Sequence, residues 1–371
     1  MPEEQDRPSV SPADPESREA VVTGGLTYAD SGVDIDAGED AVRRIKPMVE
    51  STYIPGVLGS LGGFAGLYQM PDHLKEPVLV TATDGVGTKL LVAQAVRRLG
   101  SIGIDLVAMS VNDVLTVGAR PILFLDYVAT GKLVPAEIAD IVQGVAEGCR
   151  QAGCALVGGE MAEMPGLYRG NDFDLAGFCV ALVEKQKLID GSGIREGDSV
   201  VGLASSGLHS NGFSLARRIL DENQCSLEDK FPRLGETIGQ TLLEPTRIYV
   251  RSVLGLLDMG IPIHGLAHIT GGGIGGNLSR VIPAGLSARL DFREWRVPRL
   301  FRVLQELGRV EEAEMFRTFN MGVGLVLVLP AETADYALKL LARAGEEPLA
   351  LGEVVAAESG TAPRVTLEGV F

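Results

Sequence analysis

Four oxygen-bearing side chains and one lysine lie within thirty residues of one another, in a pattern that could handle a polyphosphate. The stretch VLVTATDGVGTKL, Val78 to Leu90, is an apolar run followed by Gly85, Gly87, Thr88 and Lys89: strand, glycine loop, lysine. It is not a P-loop, which needs glycine directly before the lysine. Thr88 stands there instead, and Asp84 brings a negative charge to the place of an anion cradle. Asp105, Asn112 and Asp113 follow in a segment of helical periodicity. Positions 105 and 112 are two helical turns apart and share a face, with Asp113 one step round. Three carboxylates and an amide oxygen suit a hard cation such as Mg²⁺. On this reading Asp84, Asp105, Asn112 and Asp113 hold the metal, the glycines admit a polyphosphate, and Lys89 meets it as a point charge. A plainer reading stays open, with Asp105 capping its helix and Asn112 and Asp113 on a solvated face.

Three later loops also carry polar groups. LVGGEMAEMPG, from Leu156, puts Glu160 and Glu163 in a loop bounded by Gly and Pro, either as further carboxylates for a metal or nucleotide or as solvated acids. SSGLHSNGFSLARRIL, from Ser205, offers Ser210 and Asn211 as helix N-caps over an anion site, with His209 as ligand, proton carrier or turn residue. In HGLAHITGGGIGGNLSRVIP, Gly271, Gly273 and Gly276 match the dinucleotide fingerprint G-x-G-x-x-G, and Asp291 follows at the expected distance. The helix behind it, about Asn277 to Ile282, is stopped by Pro283 and is too short for a crossover helix. That argues against an NAD-linked oxidoreductase and for an anion loop with His268 beside it. No nucleophile signature is present, so phosphoryl transfer by metal and positioning is the chemistry expected.

These loops need elements to hold them, and 371 residues suffice for two domains with separate cores. Strands are expected at 78–83, 121–129, 154–159, 174–183, 200–204, 263–269, 287–292 and 324–329. Helices are expected at 103–117, 135–152, 213–222, 246–259 and 333–344, with a short one ending near Lys46. The polar stretch 184–198 reads as a junction. A net charge of −16 argues against a nucleic-acid or anionic-membrane surface. No apolar run approaches the ~18 residues of a membrane helix. Cys149, Cys154, Cys179 and Cys225 lack metal spacing and read as reduced, buried thiols. The acidic, Pro- and Ser-rich start, residues 1–25, reads as a disordered tail rather than a signal peptide, and the protein as cytoplasmic.

Taken together and in order, the motifs resemble those of the phosphoribosylformylglycinamidine cyclo-ligases, the aminoimidazole ribonucleotide synthetases of purine biosynthesis. The resemblance is carried by YADSGVDIDAG (28–38), LGGFAGLY (61–68), TDGVGTKL (83–90), GIDLVAMSVNDVLTVGARPILFLDY (103–127), GGEMAEMPG (158–166), SSGLHSNGFSL (205–215), PTRIYV (245–250), AHITGGGIGGNL (267–278) and FNMGVGL (319–325). It implies an α/β (α+β) subunit with an ATP- and metal-binding N-terminal domain, 26–184, and a C-terminal α/β domain, 185–371. It further implies a homodimer whose N-terminal sheets pair into a barrel, with neither nucleic acid nor membrane as partner. The implied reaction consumes ATP, with Mg²⁺, to close the ring of formylglycinamidine ribonucleotide. Catalytic roles are implied for Asp84, Lys89, His209 and His268. Nucleotide contacts are implied for Lys46, Gly62, Gly63, Gly66, Gly85, Gly87, Thr88, Asn112 and Glu160. Substrate contacts are implied for Ser210, Asn211 and Gly271, Gly272 and Gly273. Met161 and Ser279 depart from the family pattern, where a hydroxyl residue and Pro are usual.

Overall fold

The computed structural model describes residues 25–357 and 364–369, so most of the expected acidic tail lies outside the described residues. The first domain opens with α1 (Ile35–Glu50), then β1 (Val57–Leu58) and β2 (Leu67–Tyr68), a small ribbon around the glycine-dense segment. There follow β3 (Pro77–Gly85), α2 (Lys89–Val96), α3 (Gly100–Leu115), β4 (Arg120–Thr130), α4 (Pro135–Ala152), β5 (Ala155–Glu163) and β6 (Phe173–Glu184). Asp34 caps α1 by accepting from the Ala37 N–H at 3.0 Å. Ala41, Ile45 and Val49, four apart, give the helix one buried stripe, which leaves Lys46 exposed and 4.0 Å from Glu50.

Strands β3 to β6 form a sheet in the order β3-β6-β4-β5, antiparallel except for the parallel β4–β5 pair. Helices α3 and α4 cover one face. They approach closely because Gly103 and Gly144 lack side chains; a Cβ at Gly144 would collide with the Gly100 carbonyl. The opposite face carries Leu79, Leu123, Leu125, Tyr127 and Phe178, of which Leu79 is 63% and Phe178 43% exposed.

The second domain comprises β7 (Ser199–Ala204), α5 (Phe213–Glu222), α6 (Ile238–Leu242), α7 (Val250–Asp258), β8 (Gly265–His268), α8 (Gly273–Leu278) and β9 (Leu286–Asp291). It continues with α9 (Arg299–Gly308), α10 (Glu312–Thr318), β10 (Val323–Leu329), α11 (Ala331–Arg343), β11 (Pro348–Ala356) and β12 (Val365–Glu368). The six strands run β12-β9-β11-β7-β10-β8, and all neighbours are antiparallel except β12 with β9. Strand β10 is buried throughout.

Several expectations change. Strand β5 continues through Glu160 and Glu163, which therefore sit on a paired strand rather than in a loop. Helix α7 begins at Val250, not Thr246, because residues 246–249 are held out of the helix, against α3, by the bonds described below. Helix α8 starts at Gly273 after a left-handed Gly272, earlier than expected, and remains six residues long. Its strand β8 pairs antiparallel with β10, so no dinucleotide-type βαβ unit exists here. The residue capping α5 is the left-handed Gly212, with no side-chain cap from Ser210 or Asn211. Three cysteines are buried, whereas Cys225 is only half-buried. Among the described residues no helix is long and apolar enough to cross a membrane.

Candidate functional site between the two domains

Helix α3 directs Asp105 and Asn112 from one face, as their spacing requires, but that face meets the second domain rather than an open metal site. Asp105 Oδ1 accepts from the Thr246 N–H (2.7 Å) and hydroxyl (2.6 Å), and its carboxylate pairs with Lys89 Nζ at 2.8 Å. Asn112 Oδ1 accepts from the Tyr249 N–H and its Nδ2 donates to the Arg247 carbonyl. Lys89, fully buried, donates also to the carbonyls of His209 (3.1 Å) and Glu244 (2.8 Å) and lies 5.5 Å from the Phe213 ring centroid. Burial pushes its ammonium pKa down, and the Asp105 charge pushes it back up. All three ammonium hydrogens have partners within the protein, and in this structure Lys89 forms an interdomain tie. Asp105 and Asn112, expected as metal ligands, are members of that tie in this structure. Among the described residues no three His, Cys, Asp or Glu gather as a metal cage.

Asp84 and Asp113 behave differently. Asp84, at the end of β3, accepts from the Gly85 N–H at 2.8 Å. Burial raises its pKa, and the nearby Asp113 charge raises it further. Asp113, on the exposed end of its turn, holds His268 Nδ1 at 2.8 Å. His268 itself is buried, and its Nε2 has no hydrogen-bond partner. This orients the imidazole with Nδ1 toward the carboxylate and Nε2 free to accept. A groove of about 550 Å³ between the domains is lined by Thr83, Asp113, His268, Thr270, Asn277 and Arg280, among others.

His209 takes a left-handed backbone conformation, φ 62°. Its Nε2 accepts the Ser206 N–H at 3.2 Å, which assigns the ring proton to Nδ1, an atom with no partner. Burial holds its pKa well below the usual range, and the charges of His268, Lys89 and Arg247 act in the same direction. His209 is therefore neutral. Ser210 pairs with the Thr246 hydroxyl at 3.1 Å. Asn211 Oδ1 accepts from the Gly271 N–H at 3.0 Å, so two loops sixty residues apart meet. The turn at Gly271, Gly272 and Gly273 is held from inside by Asn277, whose Nδ2 donates to the carbonyls of Thr270, Gly271 and Gly273. Asn277 and Arg280 are site residues that motif reasoning passed over. An amide set among glycines was the available signal for Asn277; Arg280 had none.

The remaining expected nucleotide contacts lie elsewhere on the first domain. Gly85 and Gly87 lead to Thr88, whose hydroxyl is 3.0 Å from that of Ser214. Gly62, Gly63, Gly66 and Glu160 line a separate cleft of about 430 Å³ between α1 and the β4–β5 ladder, with Met161 at its edge. Lys46 lies on the outer side of α1 and is not among the lining residues. Glu163 faces away from any ligand role: its two oxygens accept from the N–H groups of Asp34 and Leu133.

With this geometry in place, comparison with known proteins defines the class. Residues 65–183 match the N-terminal domain, and residues 195–363 the C-terminal domain, of AIR synthase related proteins. The phosphoribosylformylglycinamidine cyclo-ligase of Sorangium cellulosum is 57% identical over 89% of this chain and 95% of its own length. That of Pseudothermotoga lettingae is 51% identical over 91% and 99%. The chain belongs to the phosphoribosylformylglycinamidine cyclo-ligase family. Solved structures share the fold at low identity. Thiamine-monophosphate kinase from Stenotrophomonas maltophilia aligns with TM-score 0.67 at 17% identity over 88% of this chain and 96% of that one. The hydrogenase maturation protein HypE in complex with ATP aligns at 0.63 and 18% over 88% and 91%.

Proposed function

We propose that this chain is an ATP-dependent cyclo-ligase of purine biosynthesis that converts formylglycinamidine ribonucleotide to aminoimidazole ribonucleotide, ADP and phosphate in the interdomain groove. The observation that carries the residue assignment is the Asp113–His268 pair, with a free Nε2, beside the Asn211–Gly271 link. The family membership supports the reaction, and the shared fold of an ATP-bound relative supports the nucleotide.

The formyl oxygen of the substrate is a poor leaving group. Transfer of the ATP γ-phosphoryl to that oxygen makes it a good one, after which the ribose-bearing nitrogen attacks the formyl carbon and phosphate departs. Both reacting groups belong to one molecule, so holding it folded supplies much of the rate. His268 Nε2 accepts the proton that the attacking nitrogen loses, and Asp113 keeps that nitrogen of the ring turned inward. Neutral His209 donates from Nδ1 to a substrate oxygen. The N–H groups of the Gly271–Gly273 turn bind the ribose phosphate, and Ser210 and Asn211 fix the edge of the substrate.

The family's Mg²⁺ fits Asp84 and Asp113. The Asp113 charge beside Asp84 adds to the cost of ionising it, which a cation would relieve, and Mg²⁺ needs only one or two carboxylates when phosphates complete its shell. When bound, it neutralises charge on the phosphates. The apolar outer face of the first sheet, with β3 as a free edge, fits a second copy of the chain, as a homodimer joined through the N-terminal sheets requires. Such an enzyme works in the cytoplasm.

Turnover with formylglycinamidine ribonucleotide, ATP and Mg²⁺ tests the proposal. One imidazole product per ADP is expected, with Asp84→Asn lowering kcat by about 10²-fold or more. ADP without imidazole product would make the protein a kinase of the same fold. No ATP consumption would overturn the reading.

A further inference from the structure

His209 holds a backbone conformation that few residues with a side chain adopt, φ 62°, and contacts from several segments keep it there. Its carbonyl accepts from the buried Lys89 at 3.1 Å. Its ring Nε2 accepts from the N–H groups of Ser206 (3.2 Å) and Arg247 (3.5 Å). Both donors are main-chain groups, which cannot turn round to accept, so the ring proton is confined to Nδ1. An unconstrained neutral imidazole favours the proton on Nε2. The surroundings of His209 impose the other form.

The ring fits there only because the neighbouring strand has no side chain beside it. Gly324 lies in β10 where the register against β7 shifts, between Val323, opposite Ala204, and Leu325, opposite Leu203. Such a bulge bends the strand locally, and a glycine in it admits close approach. Gly324 is not in the left-handed region, so what glycine supplies here is space alone. A Cβ at Gly324 would stand 2.5 Å from His209 Cε1 and closer still to the Tyr249 hydroxyl oxygen. Cε1 is bonded to both ring nitrogens. Displacement there carries Nε2 off its two donors and turns Nδ1 from its present direction. The conflict with Tyr249 is a separate one: that hydroxyl donates to the Ala204 carbonyl at 2.8 Å, and its ring centroid lies 6.3 Å from that of His209.

We propose that Gly324 is a positioning residue of the reaction: by leaving the His209 ring its place, it keeps Nε2 on its two donors and the Nδ1 proton turned to the substrate. The proposal rests on the donor role given to His209 above and deepens it.

Imidazole nitrogen NMR spectra of the full-length protein without ligand, read beside turnover, test this. The sequence holds four histidines, and His209→Gln identifies the His209 signal by its disappearance. Wild type is expected to show His209 protonated on Nδ1 and not on Nε2. Gly324→Ala meets both neighbours, so it is combined with Tyr249→Phe, which removes the hydroxyl conflict and leaves the one with the imidazole. The double variant is expected to be more stable than Gly324→Ala in urea unfolding and yet to lose the Nδ1-protonated signal. Its kcat should fall by at least about tenfold, with a KM for ATP within about twofold of wild type. Tyr249→Phe alone should keep both signal and kcat; loss of either would assign the effect to the hydroxyl and overturn the proposal. A glycine that serves packing only would give a folded double variant with wild-type signal and kcat, which overturns it as well. So does a wild-type His209 carrying its proton on Nε2, whether or not the alanine variants fold. Absence of turnover in wild type overturns the cyclo-ligase reading instead, and the role of Gly324 in the reaction falls with it.

Discussion

Lys89 donates to Asp105 and to two carbonyls of the second domain, so the lysine of the glycine-loop motif serves the fold. Removing its charge leaves Asp105 buried and unpaired. Lys89→Met is expected to cost about 3–5 kcal/mol in urea unfolding, and adding Asp105→Asn should recover part of it, since the amide still accepts from Thr246. A lysine acting on phosphate would instead weaken ATP binding at unchanged stability. Asp126 gives a second residue-scale prediction. Its folded pKa of about 7 lies above the ordinary 3.8, so the folded state retains a proton that the unfolded chain releases. Its contribution is fully present below pH 4 and is lost as pH rises to about 7, by at most roughly 4 kcal/mol. The stability of Asp126→Asn relative to wild type should therefore grow between pH 4 and 7 and level off above; a constant difference across that range would refute the assignment. At this scale the sequence was only half legible. The residue types and the seven-residue spacing of Asp105 and Asn112 were visible. Their partners, Thr246 to Tyr249, lie more than 130 positions away, and no local pattern announces them.

The elements were easier where periodicity was strong. Helices 135–152 and 213–222 are found with the bounds read from the sequence, because Pro starts the first and each has a clear apolar stripe. Helix α9, RLFRVLQELG, has an equally marked stripe and was missed, as were α10, β11 and β12. No chemical motif drew attention to the region, and charged residues dilute its apolar signal. Residues 246–249 show the converse: helical by periodicity, they stay outside the helix because Asp105 and Asn112 take their backbone groups. Glycine pairing between α3 and α4 is an element-scale feature with a direct test. Gly144→Ala forces the helices apart and is expected to cost about 1–3 kcal/mol, read as a lower thermal midpoint, whereas an ordinary helix glycine would be stabilised by alanine.

For the whole molecule, the two-layer first domain leaves one side of its sheet uncovered, with Leu79 and Phe178 exposed on it. A dimer through that face predicts that Leu79→Glu with Phe178→Glu yields a monomer in sedimentation, folded and without turnover if the site needs both copies. A double variant that remains dimeric would move the interface elsewhere. The mixed α/β class and two-part organisation followed from composition, length and the change of style after residue 184. The sheet orders did not, since antiparallel pairings between strands far apart in sequence are set by tertiary packing.

The tie formed by Lys89, Asp105 and Asn112 also limits how this molecule can move. It joins α2 and α3 to the 209 and 244–249 segments through buried and part-buried bonds, at the place where a hinge would have to open. Jaw-like rocking of the domains would break them and leave the buried Lys89 and Asp105 without their partners. Movement on nucleotide binding is therefore expected in the ribbon of residues 56–68, where glycines recur and Phe64 stands fully exposed. Amide hydrogen exchange should find that ribbon protected by nucleotide while the interdomain amides of Thr246 and Tyr249 stay slow in either state.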